Sequence, residues 1–293
     1  MENTRFTRTS NEKEHRTMLW NKDKSTLPEL LRLTDPGLRE HLAAMPASQA
    51  LIGLGADGQP VTIDWDTESP HVLVCSATGG GTSTALRTLA AQLLHHGAHT
   101  VILDSKRISQ TWALGIDNVT YCRGIETIHD ALVGLRTELQ RRIAHSDQHG
   151  DCDDLPRLTV LLEVAHHTLR QLTRYWDKVR QANDPKTSPA VDALHELLFE
   201  GRAARMHVLF AGQLDTTPLG VFTREQFSTV VLGRVTTRTW SRLAPQINPA
   251  PKSSSRPGRV HVVQGTTAHP TQVLLLTDTE AADWAAATTA GKI

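Results

Sequence analysis

Cysteine is scarce in this 293-residue chain: Cys75, Cys122 and Cys152 are an odd number with no C-x-x-C spacing. That excludes a disulfide framework and predicts reduced thiols in a cytoplasmic protein. Net charge is missing as well, because 31 Lys and Arg balance 31 Asp and Glu. Attraction to nucleic acid therefore needs a local basic face, or a ring of subunits that pools charge. No stretch approaches the roughly 18 apolar residues of a membrane-spanning helix. The opening segment MENTRFTRTSNEKEHRTMLW is polar and holds no apolar signal core. Repeats at solenoid or propeller periods are absent, and so is a G-x-S-x-G nucleophile turn. What is present, 39% hydrophobic and 21% charged residues, suits a soluble protein with one large core, or one core and a small appendage.

Along the chain, residues 1–26 read as a flexible or partner-ordered arm rich in charge, Thr, Ser and Asn. Residues 27–70 read as a lead-in. Leu27, Leu30, Leu31, Leu38 and Leu42 have roughly helical spacing over 27–46, with Pro28 suited to a first turn and Asp35-Pro36-Gly37 as an interruption. A hairpin follows: LIGLG, the turn Ala56-Asp57-Gly58-Gln59, then PVTIDW.

From residue 71 strands and helices alternate. HVLVCS, TVILD, NVTYC, RLTVLLEV, MHVLFAG and STVVLGRV read as strands. Helices are predicted at 82–97, 124–146, 166–182 and 189–204. The run RLTVLLEV is apolar almost throughout, as a strand covered on both faces should be. This pattern predicts a mostly parallel sheet between helices over 71–245, then a C-terminal β addition and an Ala-rich helix over 246–293.

The chemistry begins at VLVCSATGGGTST, residues 72–84: apolar strand, glycine-rich turn, start of a helix. Laid on the phosphate-loop consensus G-x-x-x-x-G-K-[ST], Ser76 stands on the first glycine, Gly81 on the second, Thr82 on the lysine and Ser83 on the metal-binding hydroxyl. Backbone N–H groups from Ala77 through Thr78, Gly79, Gly80, Gly81, Thr82 and Ser83 survive these side-chain changes and can cradle phosphate oxygens. Ser83 or Thr84 offers Mg²⁺ a hydroxyl. Thr82 brings no cation to the β and γ phosphates. At the end of RLTVLLEV, Glu163 stands where a carboxylate meets the metal, but Val164 beside it can polarise no water.

In this order the blocks resemble the FtsK/SpoIIIE-type DNA translocase ATPases, particularly small soluble members related to plasmid transfer proteins. IGLGADGQPVTIDWDTESPHVLV is similar to the family's lead-in, VILDSKR to its segment after the second strand, and RLTVLLEVA to its Walker B strand. GRAARMHVLFAGQ is similar to the stretch ending in a sensor glutamine, and REQFSTVVLGRV to a strand carrying an arginine. The resemblance covers roughly residues 50–280. It implies a RecA-like P-loop fold, ATP or ADP with Mg²⁺ on Ala77–Thr84, and a metal held by Ser83 and Glu163. It also implies that Gln213 senses the γ-phosphate, and that Arg202, Arg205 or Arg234 acts across a subunit interface. Double-stranded DNA and a homo-oligomer, in the family a hexameric ring, are the implied partners, with a hetero-assembly around an active ATPase as the alternative.

The departures at Thr82, Ser76, Val164 and Gly212 predict weak nucleotide binding and little or no hydrolysis. Lys106, or an arginine from a neighbour, is a candidate substitute cation. Three functions stay open here: a nucleotide- and DNA-binding partner of an active motor, an active translocase with a substitute cation, and a scaffold without nucleotide. Elsewhere, His145, His149 and nearby acids and Cys152 read as a solvated loop rather than a metal site. His166-His167 reads equally as a surface pair or as neighbours of the nucleotide. His95-His96 suits a helix C-terminus. Arg136, Arg141 and Arg142 on one helix, and Arg170, Arg174, Lys178 and Arg180 on the next, read as solvated faces that a ring could turn toward DNA. Tyr175 and Trp176 fit the core as well as a stacking platform.

Overall fold

The computed structural model describes residues 27–56, 58–68, 70–214 and 218–287. The predicted arm at 1–26, and Asp57 in the hairpin turn, lie outside them. Among the described residues, eleven strands form one sheet. Six of them, β4 (His71–Cys75), β5 (His99–Leu103), β6 (Val119–Cys122), β7 (Leu158–Leu162), β8 (Met206–Ala211) and β9 (Thr229–Leu232), run parallel in the order β9-β4-β8-β7-β5-β6. Their sequences are short runs of Val, Ile and Leu, buried end to end in β4, β7, β8 and β9, as strands with helices on both faces must be. Beyond β9 the sheet turns antiparallel through β10 (Arg259–Gln264), β11 (Thr267–Leu275), β2 (Gln49–Gly55) and β3 (Pro60–Asp64).

The helical pattern expected over 27–46 is not realised as one helix. Leu31–Arg32 form a short strand, β1, paired parallel with β11 at Leu274 and Leu275; only Leu38–Ala43 are helical, α1. Leu31, Leu33, Leu38 and Leu42 are all buried, so the leucines do fill a core, from two elements rather than one face. Pairing with a strand more than two hundred residues away overrides the local spacing.

Two layers cover the sheet. On one face lie α1, α2 (Thr82–His95) and α7 (Asp278–Ala286), with Leu86, Leu89, Leu93, Trp112 and Trp284 in the core. On the other lie α3 (Ile125–His149), α4 (Ala165–Val179), α5 (Pro189–Glu200) and α6 (Thr237–Leu243), around Leu132, Leu139, Leu169, Leu194 and Phe210. What positions the site is the seating of α2. A bulge between Leu51 and Gly53 frees the Leu51 N–H, which donates to buried Gln92 Oε1 at 2.8 Å, while Gln92 Nε2 donates to Leu51 O at 3.0 Å. Thr88 Oγ1 donates to Leu274 O at 3.0 Å. The helix that opens at the glycine loop is thus pinned to β2 and β11 by buried, paired polar groups. His95 lies in the last turn of α2, as expected, and there it is buried and stacks on Trp284 at 4.4 Å between ring centroids.

Candidate nucleotide site

In an open parallel sheet, ligands lie at the carboxyl ends of the strands, where βα loops gather. Here β4 runs into the loop 76–81, and Gly81 caps α2 in the left-handed region, φ 89°. The first N–H groups of α2 have no partner within the helix, so they face outward as donors at its positive end.

Ser76, which replaces a consensus glycine, is accommodated rather than disruptive. A Cβ built on Gly80 would lie 1.8 Å from Ser76 Oγ, and one on Gly233 would lie 2.5 Å from it. The side chain gained at one end of the loop occupies the space that Gly80 and Gly233 leave empty. Its hydroxyl accepts from the Arg234 N–H at 3.1 Å.

The structure brings Ser83 and Glu163 together. Ser83 Oγ donates to Glu163 Oε1 at 2.6 Å, although the two lie eighty positions apart and a strand, β8, separates β4 from β7. Glu163 is buried, 2% exposed. Its other oxygen, Oε2, accepts from Gln110 Nε2 at 2.9 Å. One hydroxyl and one carboxylate at the foot of a phosphate loop suit Mg²⁺, a hard cation that keeps waters and takes phosphate oxygens as its remaining ligands. Val164 follows at φ 49°, ψ 50°, a left-handed conformation that is costly for a β-branched residue.

Arg234 lies on its own chain's loop: its Nη2 donates to Thr78 O at 2.8 Å, and its carbonyl accepts from Ala77 N–H at 2.9 Å. Its guanidinium thus lies against the loop. Lys106 stands exposed in the turn after β5. Arg202 and Arg205 lie just before β8, at the opposite end of the sheet from the loop. The Arg202 guanidinium donates to the carbonyls of Asp66 and Thr67, and that of Arg205 to those of Cys152 and Asp153. Gln213 is exposed just past the end of β8, next to Gly212 at φ 124°, whose Cβ would approach His166 Nδ1 to 3.3 Å. His166 therefore packs beside the strand ends, near Gln213.

A cavity of about 230 Å³ opens beside the loop, walled by Gly79–Thr82 on one side and by Leu30, Pro257, Val260 and Val273 on the other. It is apolar enough for a nucleobase, with the phosphate loop at its rim.

Other candidates resolve differently. His145 Nε2 pairs with Asp154 at 2.9 Å, and no cluster of three or more His, Cys, Asp or Glu able to hold a metal occurs among the described residues. The three cysteines are buried and unbridged, and burial pushes the Cys75 thiol up to about 11. Arg136 pairs with Glu196, while Arg141 and Arg142 share Glu138, so two carboxylates offset most of the charge of the α3 stripe. Arg170, Arg174 and Lys178 of α4 stay exposed at four-residue spacing. Tyr175 and Trp176 pack on His129 of α3.

Glycine loop, buried acid and parallel sheet together define a P-loop α/β ATPase fold. Solved structures that share it include FtsK/SpoIIIE-type ATPases of conjugation and secretion. The pCW3 conjugation coupling protein TcpA, solved as a monomer form with ATPγS, superposes with a TM-score of 0.68 at 18% identity over 88% of this chain and 73% of its own. EssC (ATPases 2 and 3) from Geobacillus thermodenitrificans gives 0.61 at 15% identity over 90% of this chain and 50% of its own. The cytoplasmic domain of the Thermomonospora curvata type VII secretion ATPase EccC gives 0.59 at 21% over 78% of this chain and 29% of its own. The chain thus spans half or less of the secretion ATPase chains. No protein-family model and no curated protein matches the sequence. No helix among the described residues is long and apolar enough to cross a membrane.

Proposed function

We propose that the chain binds ATP or ADP with Mg²⁺, contacts duplex DNA, hydrolyses nucleotide very slowly or not at all, and works within an assembly of the DNA-transfer class. The observation that carries this reading is the 2.6 Å hydrogen bond from Ser83 to Glu163, which joins the phosphate loop to the acidic strand. A glycine turn that merely packs has no need of a buried carboxylate on its hydroxyl. Ser83 and Glu163 would hold the metal, which when bound offsets phosphate charge. The loop N–H groups would hold the phosphates, with Arg234 supplying in cis part of the positive charge that Thr82 lacks.

Val164 gives the site no group to activate water, and Thr82 brings no cation, so both losses slow turnover. Gln213 would sense a terminal phosphate. Arg202 and Arg205 would reach a phosphate only from a neighbouring subunit and only by leaving their carbonyls. Duplex DNA would meet Arg170, Arg174 and Lys178 of α4, whose helix starts at the site. The exposed side chains of Ile108 and Phe222 suit contacts between subunits, in a ring of copies or around an active ATPase.

Calorimetric titration of ATP with Mg²⁺, with phosphate release followed on the same sample, tests the reading. Saturable heat without release is expected. Arg234→Ala should weaken binding about tenfold, the worth of one charged hydrogen bond. Thr82→Lys should tighten binding, and only Thr82→Lys with Val164→Glu should release phosphate. No binding by the wild-type chain at millimolar nucleotide would leave the fold as a scaffold.

A further inference from the structure

Gln110 belongs to none of the motifs, yet it is fully buried at the centre of the site. Besides its bond to Glu163 Oε2, its Nε2 donates to Ser83 O at 3.2 Å, and its Oε1 accepts from Trp112 Nε1 at 2.7 Å. An indole N–H only donates, so the amide oxygen must face Trp112 and the amide nitrogen must face the acid. The orientation of this side chain is therefore fixed by chemistry.

The loop that carries Gln110 is itself anchored. Asp104 is fully buried and accepts from Lys106 N–H at 3.0 Å, Ser109 N–H at 2.8 Å and Tyr121 Oη at 2.7 Å. Trp112 sits in the single turn Thr111–Ala113, which packs against α7, and α7 is bonded to α2 through Arg87 and Asp278. A continuous buried chain thus runs from Ser83 and Glu163 through Gln110 to Trp112 and the last helix.

We propose that Gln110 is a positioning residue that holds the Glu163 carboxylate for a divalent cation, and that its bond to Trp112 makes this tryptophan report cation–nucleotide binding to α7. The proposal rests on the nucleotide reading above. A cation drawn to Glu163 must share the carboxylate with Gln110, so any shift of Oε2 reaches the indole through the Gln110 amide, across two hydrogen bonds of 2.9 and 2.7 Å. Groups that hold metal ligands in place are worth about 10–100-fold in metal affinity.

The test uses the full chain, ATP as probe, and tryptophan emission read beside calorimetry, in MgCl₂ and in EDTA. Wild type should show an emission change that saturates with the heat, and Trp112→Phe should bind with heat but lose most of that change. Gln110→Leu should weaken ATP binding about tenfold or more in MgCl₂ and little in EDTA. A purely structural role would weaken both equally, and that result overturns the proposal. Full emission change retained in Trp112→Phe, or heat without emission change in wild type, also overturns it while leaving nucleotide binding intact. No heat in wild type overturns both. Should Gln110→Leu fail to fold, Gln110→Glu supplies the second measurement. Two facing carboxylates should make its melting temperature rise with MgCl₂ alone, and an unmoved melting temperature counts against the proposal.

Discussion

The two ends of the parallel sheet are built on opposite principles. At the carboxyl ends of the strands, backbone donors of the loop and α2 point outward, Val164 sits in a left-handed conformation, and glycines keep space open. At the amino ends, side chains close on one another. Arg157 is nearly buried and grips Asp66 with two bonds of 2.7 Å, while its Nη1 also reaches His207 Nε2 at 3.2 Å. His207 Nδ1 in turn donates to Pro70 O at 3.0 Å, and His71 Nδ1 accepts from the Val208 N–H at 3.0 Å. One end turns backbone donors outward for a ligand; the other joins its charged side chains within the chain. Polar residues of similar type thus serve different ends: at the amino ends charged side chains grip one another, and at the carboxyl ends backbone donors of the loop face outward.

The largest effect should come from acid at the closed end. Burial holds the His71 and His207 imidazoles neutral, depressing both to about 3 from an ordinary 6.5, and the Arg157 charge adds to the effect at His207. The unfolded chain takes up these protons as pH falls through 6.5 while the folded chain refuses them. Stability from the pair is therefore complete above 6.5 and drains away as pH falls toward 3, by up to about 2.7 kcal/mol per pH unit. Melting temperature against pH should show that slope, and His207→Gln should flatten it. A profile level from pH 7 to 4 would contradict two imidazoles held neutral by the fold.

Next comes Arg157→Ala, which removes both bonds to Asp66 and the donor to His207. A loss of about 2 kcal/mol is expected in urea unfolding, for a buried guanidinium whose carboxylate partner is half exposed and screened by solvent. Because the group lies at the far end of the sheet, the ATP dissociation constant should stay within about twofold, as distant sites are independent. A large shift in affinity would mean that the two ends are coupled.

Gly80→Ala tests the open end. Its methyl meets Ser76 Oγ and the Ala77 carbonyl, so the loop must move, at a cost of about 1–3 kcal/mol and with loss of ATP binding. Adding Ser76→Gly to Gly80→Ala moves the side chain to the other end of the loop and should restore much of both. At α4, replacing Arg170, Arg174 and Lys178 by Ala should lower the salt dependence of duplex binding by about three counter-ions, measured by anisotropy.

How much of this was legible depended on whether the signal was local. The β–loop–helix units and the pairing partners Ser83 and Glu163 were readable, because strand ends and loop spacing place them without long-range information. The two segments over 27–43 were not, since β1 exists only through its pairing with β11. Arg234 in cis also escaped, for it meets Ser76 across one hundred and fifty-eight positions and only the sheet order makes β4 and β9 neighbours. Gln110 had no motif at all. Its one trace in the sequence is an amide two residues before a tryptophan in a loop after a strand, a pattern too common to single out. Ser76 carried more than its consensus mismatch suggested: Gly80, where the consensus allows any residue, is the compensating change.

Val164 gives the smallest effect and the sharpest separation of the two ends. Arg205, at the closed end, shares the left-handed region at φ 52°, but its side chain is unbranched at Cβ. Val164 holds that conformation with a branched side chain, where the steric cost is greater. Asn tolerates the left-handed region, so Val164→Asn should raise stability by about 1 kcal/mol if relief of strain outweighs lost packing. Because Val164 is only partly buried, little apolar area is given up. Thermal melting with and without ATP and Mg²⁺ distinguishes two uses of the conformation. A gain of similar size in both states means that the turn is simply tolerated to aim Glu163 into the site. A gain confined to the nucleotide-free chain means that ligand binding relaxes the turn, and the strain then belongs to the binding cycle.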